Sequence, residues 1–275
     1  RGRDDGPAPA HGGMGVREVK RLGKATGVDE QRLGLILEVC AAAGLIASGV
    51  PDPEPIGDAD SYWAPTVLHD RFTEAPSARR WLQLANVWLD LPARPGLVGG
   101  RGPDGKPYAA LSDSLYSTAA PLDRRLLLDL LADLPPGAGV DPVSASAALV
   151  WRRPRWSARL QPGPIEHLLE EAHAVGLTGR GALSSPARAL LAGDQEAAER
   201  AMSAIMPAPV EHFLVQADLT VVVPGPLVRE LADELAAVAD LESAGAAMVY
   251  RVSEQSIRHA LDTGRHAEFL LSFFE

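Results

Sequence analysis

Arginine and tryptophan are concentrated in one short stretch of the sequence, residues 151–159, which contains four arginines, two tryptophans and no acidic residue. A guanidinium group can bind a phosphate through two parallel hydrogen bonds, and an indole ring can stack on an unpaired base. The segment therefore predicts a local nucleic-acid contact. Its candidate residues are Trp151, Arg152, Arg153, Arg155, Trp156 and Arg159. The alternative is that the tryptophans anchor a loop to the core while the arginines stay hydrated.

A second basic cluster lies in a predicted helix near the start of the chain. Its members are Arg17, Lys20, Arg21 and Lys24. A spacing of three or four residues places these side chains on one helical face. This face is a second candidate for nucleic-acid contact, and the alternative is an ordinary solvated face.

The sequence contains no recognisable catalytic motif. Residues 100–106 have the spacing G-x-x-x-x-G-K, but Pro107 occupies the position of the magnesium-binding Ser or Thr, and no apolar strand precedes it. The neighbouring acids Glu170 and Glu171 point about 100° apart on a helix, so they do not converge on one substrate atom and are expected to be solvated. The seven histidines are scattered. We therefore predict a non-enzymatic protein without a cofactor or a metal site.

Composition limits the location and the partners. The formal charge of −10 and the pI near 5.2 argue against a surface that binds nucleic acid nonspecifically, so any DNA contact must be local.

Cys40 is the single cysteine, which excludes an intrachain disulfide and fits a reducing compartment. No apolar run approaches about 18 residues, so no membrane association is expected. The predicted location is the cytoplasm, including the bacterial nucleoid. The missing initial Met and the apolar last residues suggest a piece of a longer protein.

Residues 1–13 are rich in Gly, Pro and charge and predict a disordered arm. Residues 14–66 predict a winged helix: helices over 16–25 and 29–43 are followed by two short strands. Residues 67–120 predict a linking helix, over 78–91, and a glycine-rich loop.

Residues 121–205 predict a second winged helix, with three helices and a minimal wing at 177–183. Its candidate recognition helix, 165–175, carries Glu166, Glu170 and Glu171, just as helix 29–43 carries Glu30 and Glu38. Phosphates repel carboxylates, so these helices favour protein binding over major-groove recognition.

Residues 37–45 (LEVCAAAGL) align with residues 169–177 (LEEAHAVGL). In both, a glycine follows a predicted helix, where it can adopt the left-handed conformation, and the next leucine packs back on the last turn. Two interpretations stay open: a repeated domain, or a local pattern that any helix leading into a strand can show.

The last unit, residues 206–275, has a different pattern. Residues 213–223 predict one buried strand and 246–252 a second, with helices over 227–239, 253–262 and 266–274. Between Glu211 and Glu275 the chain carries eleven acidic residues and four arginines, so much of the negative charge lies here.

Several spaced segments of this unit carry a family resemblance. They are FLVQADLTVVVP at 213–224, LES at 241–243, MVYRV at 248–252 and SIRHALDTG at 256–264. The unit resembles the helicase-associated domain of actinobacterial proteins, which is similar to the N-terminal domain of XPB-type DNA-repair helicases. The resemblance implies a small β-α-β damage-recognition fold with trailing helices. It also implies a role in DNA repair beside an XPB-type helicase, but supplies no catalytic residue and no helicase motor.

Together these observations predict a helix-rich α+β protein with tandem winged-helix units and a small β-α-β-α-α XPB N-terminal-like unit. The predicted function is a non-enzymatic, helicase-associated accessory module linked to DNA repair. It would contact DNA locally and dock onto a helicase or another repair protein. The alternative is a purely protein-binding winged-helix scaffold or a transcription-type regulator.

Overall fold

A computed structural model describes residues 8–9, 13–50, 61–244 and 247–274. The chain is helix-rich α+β and divides into two compact units. The first contains Asp29–Ile205 with the described residues up to Arg21, and the second contains Leu22–Val28 with the described part of Met206–Glu275. The predicted disordered arm at 1–13 lies outside the described residues except for positions 8, 9 and 13.

The first unit contains the following helices: α1 Val16–Thr26, whose last residues belong to the second unit, α2 Glu30–Ala42, α3 Val67–Glu74, α4 Ser77–Asp90, α5 Ala120–Ala132, α6 Pro142–Arg152, α7 Pro162–Ala174, α8 Ser185–Leu191 and α9 Gln195–Ile205. Its strands are β1 Ala8–Pro9, β2 Ile46–Gly49, β3 Tyr62–Pro65, β4 Thr178–Gly179 and β5 Ala182–Leu183. The region predicted to hold one linking helix contains both α3 and α4.

Side-chain caps define several helix starts in this unit. Asp29 accepts a hydrogen bond from the Arg32 amide at 2.9 Å, and Asp141 accepts bonds from the amides of Val143 and Ser144. Such caps satisfy amides that have no partner inside the helix. The caps therefore fix where α2 and α6 begin.

Two small antiparallel sheets follow α2 and α7. The first has the order β1-β3-β2, with Ile46 opposite Pro65 and Gly49 opposite Tyr62. The second consists of β4 and β5 only, with Thr178 opposite Leu183.

The core of the first unit is mainly leucine and alanine, as the low aromatic content of 5% predicts. The aromatic residues Tyr62, Trp81 and Trp88 are also buried there, and Trp88 on α4 is fully buried. Helix α4 packs against α5 and α9, and the Trp81 indole donates to the Val175 carbonyl at the end of α7 at 2.8 Å.

The second unit contains the strands β6 Leu214–Val215, β7 Thr220–Val223, β8 Asp240–Ala244 and β9 Met248–Arg251, and the helices α10 Arg229–Val238, α11 Glu254–Asp262 and α12 Ala267–Phe274. The strands form one antiparallel sheet in the order β6-β7-β9-β8. Buried side chains of β7, α10 and α11 form its core, which Phe213, Phe273 and Phe274 extend.

The prediction of a single strand over 213–223 is wrong. The chain turns after Val215: Leu219 has φ 66°, its amide donates to the Gln216 carbonyl, and the strand resumes at Thr220 as the other arm of a hairpin. With β8 also present, the described part of the unit has four strands where the β-α-β-α-α prediction has two. Part of the predicted strand at 246–252 falls on Ala246, which lies outside the described residues.

Candidate nucleic-acid interface

The arginine–tryptophan segment, residues 151–159, begins in the last turn of α6. Helix α6 ends at Arg152, and Pro154 starts a short 3-10 turn, Pro154–Trp156, because proline cannot continue the helical hydrogen bonding. The Trp151 side chain is 85% exposed. An indole this exposed on a helix end is free to stack on another flat group.

Trp156 has a different environment. It is half-buried, and two guanidinium groups lie over its ring, that of Arg153 at 5.8 Å and that of Arg159 at 4.9 Å from the centroid. These are cation–π distances. Trp156 thus holds the arginines of the segment in place, which agrees with the alternative of a structural anchor. The exposed Trp151 agrees with the other alternative, a contact with nucleic acid.

Within the described part of the chain, two of the four arginines in the segment form ion pairs with acidic residues. Arg152 pairs with Asp133 at 2.8 Å, and Arg159 pairs with Asp123 at 2.9 Å. Burial raises the pKa of the Asp123 carboxyl, and Arg159 and Arg94 oppose this shift. Among the residues that the structure describes, Arg153 and Arg155 have no ion pair. The candidate contact residues with free charge are therefore Arg153 and Arg155, beside Trp151.

The basic cluster on α1 is also partly paired. Lys20 lies 3.7 Å from Glu30, and Arg21 bonds to Glu18 at 3.0 Å, whereas Arg17 and Lys24 are exposed. Lys24 belongs to the second unit and the other three to the first. This face carries less free positive charge than its sequence indicates.

The acids of the two candidate recognition helices do not all face solvent. The Gln31 side chain on α2 donates to the Glu170 carboxylate on α7 at 2.8 Å, so these helices contact each other. Glu38 and Glu171 are buried, with 8% and 4% of their surface exposed. The prediction that Glu171 is solvated is wrong.

Glu171 is instead the centre of a buried charged network. Its carboxylate accepts hydrogen bonds from the Trp88 indole at 2.8 Å and the Gly96 amide at 2.9 Å, and it pairs with Arg124 at 3.3 Å. Arg124 is fully buried, lies over the Trp88 ring and donates to the carbonyls of Leu91 and Ala93. One feature of the sequence indicates this network. Glu171 aligns with the apolar Val39, which is buried, so the position itself is an inward-facing one.

The loop at 100–107 does not form a phosphate cradle. Its own groups use its polar atoms: the Gly102 amide donates to the Lys106 carbonyl, and the Lys106 amide to Asp104. A phosphate-binding loop needs such amides free and pointing at the ligand. This loop is a self-contained surface turn.

A pocket of about 230 Å³ lies near the network, between the Pro95–Leu97 turn and α7. Asp123, Arg159 and Glu171 line it, and they already pair with other residues of the chain. Within the described ranges, no three His, Cys, Asp or Glu side chains are placed to hold a metal ion. No helix of the described part is long and apolar enough to cross a bilayer.

In the second unit, the segment 213–224 contains a Q-x-D-x-T pattern, Gln216, Asp218 and Thr220, which holds the β6–β7 turn. The Gln216 amide donates to the Thr220 carbonyl, and the Asp218 carboxylate accepts from the Thr220 amide at 3.1 Å. Arg251 reaches the same turn and donates to the Asp218 carbonyl. These residues have structural partners that account for their pattern.

Comparison with known families finds a match within this second unit. Residues 213–275 match the helicase conserved C-terminal domain family. The match covers less than a quarter of the chain and supports a helicase-associated domain at this position. No curated protein matches the chain.

Proposed function

We propose that this protein is a non-enzymatic, helicase-associated accessory module linked to DNA repair, which contacts DNA through the arginine–tryptophan segment. The observation that carries the DNA contact is the exposed Trp151 beside Arg153 and Arg155, two arginines with no ion pair in the described part of the chain. The helicase C-terminal family match over 213–275 supports the helicase-associated role.

The proposed contact uses two physical interactions. Arg153 and Arg155 bind backbone phosphates, and Trp151 stacks on an unpaired base. Because stacking requires an unpaired base, this combination favours single-stranded or forked DNA over duplex. Arg159 and Trp156 position the segment, since one is held by Asp123 and the other by its two guanidinium neighbours.

The remaining parts have architectural and docking roles in this proposal. We assign residues 14–66 and 121–205 to the winged-helix type, which the helix–turn–helix and hairpin order of α1, α2, β2 and β3 supports. Residues 206–275 form an XPB N-terminal-like unit whose acidic surface suits a basic partner, such as an XPB-type helicase. The protein acts in the bacterial cytoplasm, at the nucleoid.

The test is fluorescence anisotropy of single-stranded, forked and duplex DNA across about 50 to 200 mM salt. Removing two phosphate contacts in Arg153→Ala/Arg155→Ala is expected to reduce the slope of log K against log salt by about 1.4 for single strands. Trp151→Ala is expected to weaken single-strand binding by about 1–3 kcal/mol and to leave duplex binding unchanged.

The matched control is Arg71→Ala/Arg200→Ala, which removes the same charge from exposed helical positions of the same unit. If the control lowers the slope equally, the DNA contact is not at the segment. If no DNA binds at low salt, the alternative of a purely protein-binding scaffold or regulator replaces the proposal. The acidic net charge of −10 is the observation that favours that alternative.

A further inference from the structure

A second pocket of about 290 Å³ opens beside the end of α2 in the first unit, and we call it the Glu38 pocket. The walls come from α2, from β3, from the chain between Leu91 and Ala93, and from the loop that follows Ala110. Its lining residues are Glu38, Ala41, Ala42, Trp63, Leu91, Pro92, Ala93, Leu111, Ser112, Asp113 and Tyr116. It is an open pocket whose mostly apolar lining includes two carboxylates, those of Glu38 and Asp113.

The Glu38 carboxylate is buried with little compensation. Only 8% of the residue is exposed, and within the described part of the chain its hydrogen bond is from the Leu111 amide to Oε1 at 2.5 Å. No basic side chain pairs with it among the residues that the structure describes. Burial raises the pKa of Glu38, the hydrogen bond from Leu111 opposes this shift, and the neighbouring charge of Glu171 adds to it. A carboxylate removed from water without a cation is unfavourable, so a positive group in this pocket would be stabilised.

Aromatic groups supply the rest of a cation site. The half-buried Trp63 and the 65% exposed Tyr116 both line the pocket, and Asp113 lies exposed at its rim. A planar cation can stack on an indole or phenol ring while it donates hydrogen bonds to a carboxylate. Arginine combines both properties, whereas an ammonium group acts as a point charge.

We propose that the Glu38 pocket binds an arginine side chain of a partner protein. The guanidinium lies against Trp63 and Tyr116 and donates to the free oxygen of Glu38, with Asp113 adding attraction at the rim. The acidic character of the pocket repels phosphates, which selects a basic protein segment over nucleic acid. This site does not depend on the proposed DNA contact, because it uses none of residues 151–159.

The test is an NMR titration of the isotope-labelled full chain with the acetylated, amidated tripeptide Gly-Arg-Gly. The reporter is the indole N–H resonance of Trp63, assigned by its loss in Trp63→Phe, since this N–H is buried and has no acceptor among the described residues. We expect the peptide to shift this resonance, and the same peptide with citrulline, which has the shape of arginine without its charge, to have no effect.

Glu38→Gln keeps the acceptor for Leu111 and removes the charge, and it is expected to weaken arginine-peptide binding by about tenfold or more. The matched control is Glu166→Gln, the same change at an exposed carboxylate of α7. Affinity within about twofold of wild type is expected for this control. The unchanged amide spectrum of each variant verifies the fold.

Three results would overturn the proposal. Equal binding of the citrulline and arginine peptides would exclude recognition of the charge. Equal losses in Glu38→Gln and Glu166→Gln would reduce the binding to nonspecific attraction by an acidic protein. If agmatine, a small guanidine without peptide groups, bound as tightly as the peptide, the ligand would be a free small molecule and not a partner protein.

Discussion

Helices α2 and α7 end in the same way, although about 130 residues separate them. Gly44 and Gly176 adopt φ of 71° and 78°, and the following leucine amides donate to Cys40 and Ala172 at 2.9 and 2.8 Å. Both are Schellman ends, in which the left-handed residue redirects the chain and satisfies the last carbonyls. The leucines themselves, Leu45 and Leu177, are buried.

The similarity extends to the end of each hairpin. Thr66 and Ser184 donate their amides to Leu45 and Leu177, both at 3.0 Å, and donate their hydroxyls to Gly44 and Gly176. Each hydroxyl also accepts an amide of the helix that follows, α3 or α8. This shared set of bonds extends the sequence alignment through the hairpins and favours a repeated unit over a local coincidence.

The two segments differ in the acid that each one buries. In the first, Glu38 is buried with an amide hydrogen bond and with no cation among the described residues. In the second, Glu171 is buried with Arg124, the Trp88 indole and the Gly96 amide. The aligned residues differ from these two acids. Glu170, which aligns with Glu38, is exposed, and Val39, which aligns with Glu171, is apolar. The same backbone frame thus holds one acid whose charge is compensated and one whose charge is not.

The largest expected effect is the loss of the compensated acid. Glu171→Gln leaves the buried Arg124 without its negative partner, and we expect a loss of roughly 3–5 kcal/mol in the free energy of unfolding. The measurement is urea unfolding followed by tryptophan fluorescence. All five tryptophans belong to the first unit, so the signal reports that unit.

The neighbouring substitution Glu170→Gln is the control for this prediction. Glu170 is exposed and its recorded contact is with Gln31, so the change is expected to stay within about 0.5 kcal/mol. A small effect of Glu171→Gln, comparable to that of Glu170→Gln, would show that the network contributes little to stability.

The glycines test whether the two helix ends are equivalent. Alanine in the left-handed region is unfavourable, so Gly44→Ala and Gly176→Ala are each expected to cost about 1–2 kcal/mol. The nearest atom to an added Cβ is Leu68 Cδ1 at 3.3 Å for Gly44 and Trp81 Nε1 at 3.4 Å for Gly176, so the backbone conformation dominates the cost.

Gly49→Ala in β2 is the corresponding control, because this glycine has no positive φ and an added Cβ would meet no described atom within 4 Å beyond its own chain neighbours. Here we expect no loss, or a gain of about 0.5 kcal/mol, in the same unfolding experiment. Unequal losses at Gly44 and Gly176 would contradict the equivalence of the two ends.

The smallest effect is expected at the uncompensated acid and depends on pH. Because the folded-state pKa of Glu38 is raised, its carboxyl binds more protons in the folded than in the unfolded chain. The stability that Glu38 contributes to the folded chain is therefore fully present below its pKa in the unfolded chain. This stability is lost as the pH rises through the pKa of the folded chain.

Glu38→Gln removes this dependence. The variant is expected to match wild type near pH 4 and to become relatively more stable toward pH 8, by within about 1 kcal/mol, in unfolding series at each pH. A stability difference that falls with increasing pH would have the wrong sign and would indicate an unrecognised cation beside Glu38.

Local signals made much of the fold predictable. Asp29 marks the start of α2 and Gly44 follows its end, and the corresponding helices and short strands occur within a few residues of their predicted positions. The prediction missed α3, α8 and α9, although Thr66, Ser184 and Asp194 cap them through the amides of Leu68, Ala187 and Ala197. The break in residues 213–223 depends on a left-handed Leu219, which the apolar pattern does not reveal.

For the candidate nucleic-acid interface, the sequence predicted which residue types occur but not which of them form ion pairs. The sequence identifies the arginines and tryptophans of residues 151–159, yet not that Arg152 and Arg159 meet Asp133 and Asp123, which lie 19 and 36 positions away. Long-range neighbours of this kind depend on how helices pack, which is not a property of the local sequence.

The sequence by itself determined the helix-rich composition, the glycine ends of α2 and α7 and the concentration of arginine in one segment, because these follow from backbone preferences and residue types within a few positions. Tertiary structure alone decided which charges are buried and which are compensated. Glu38 and Glu170 occupy the same place in the aligned segments, but one faces an apolar pocket and the other faces solvent. Burial and charge pairing are set by residues distant in the chain, so only the packed structure distinguishes them.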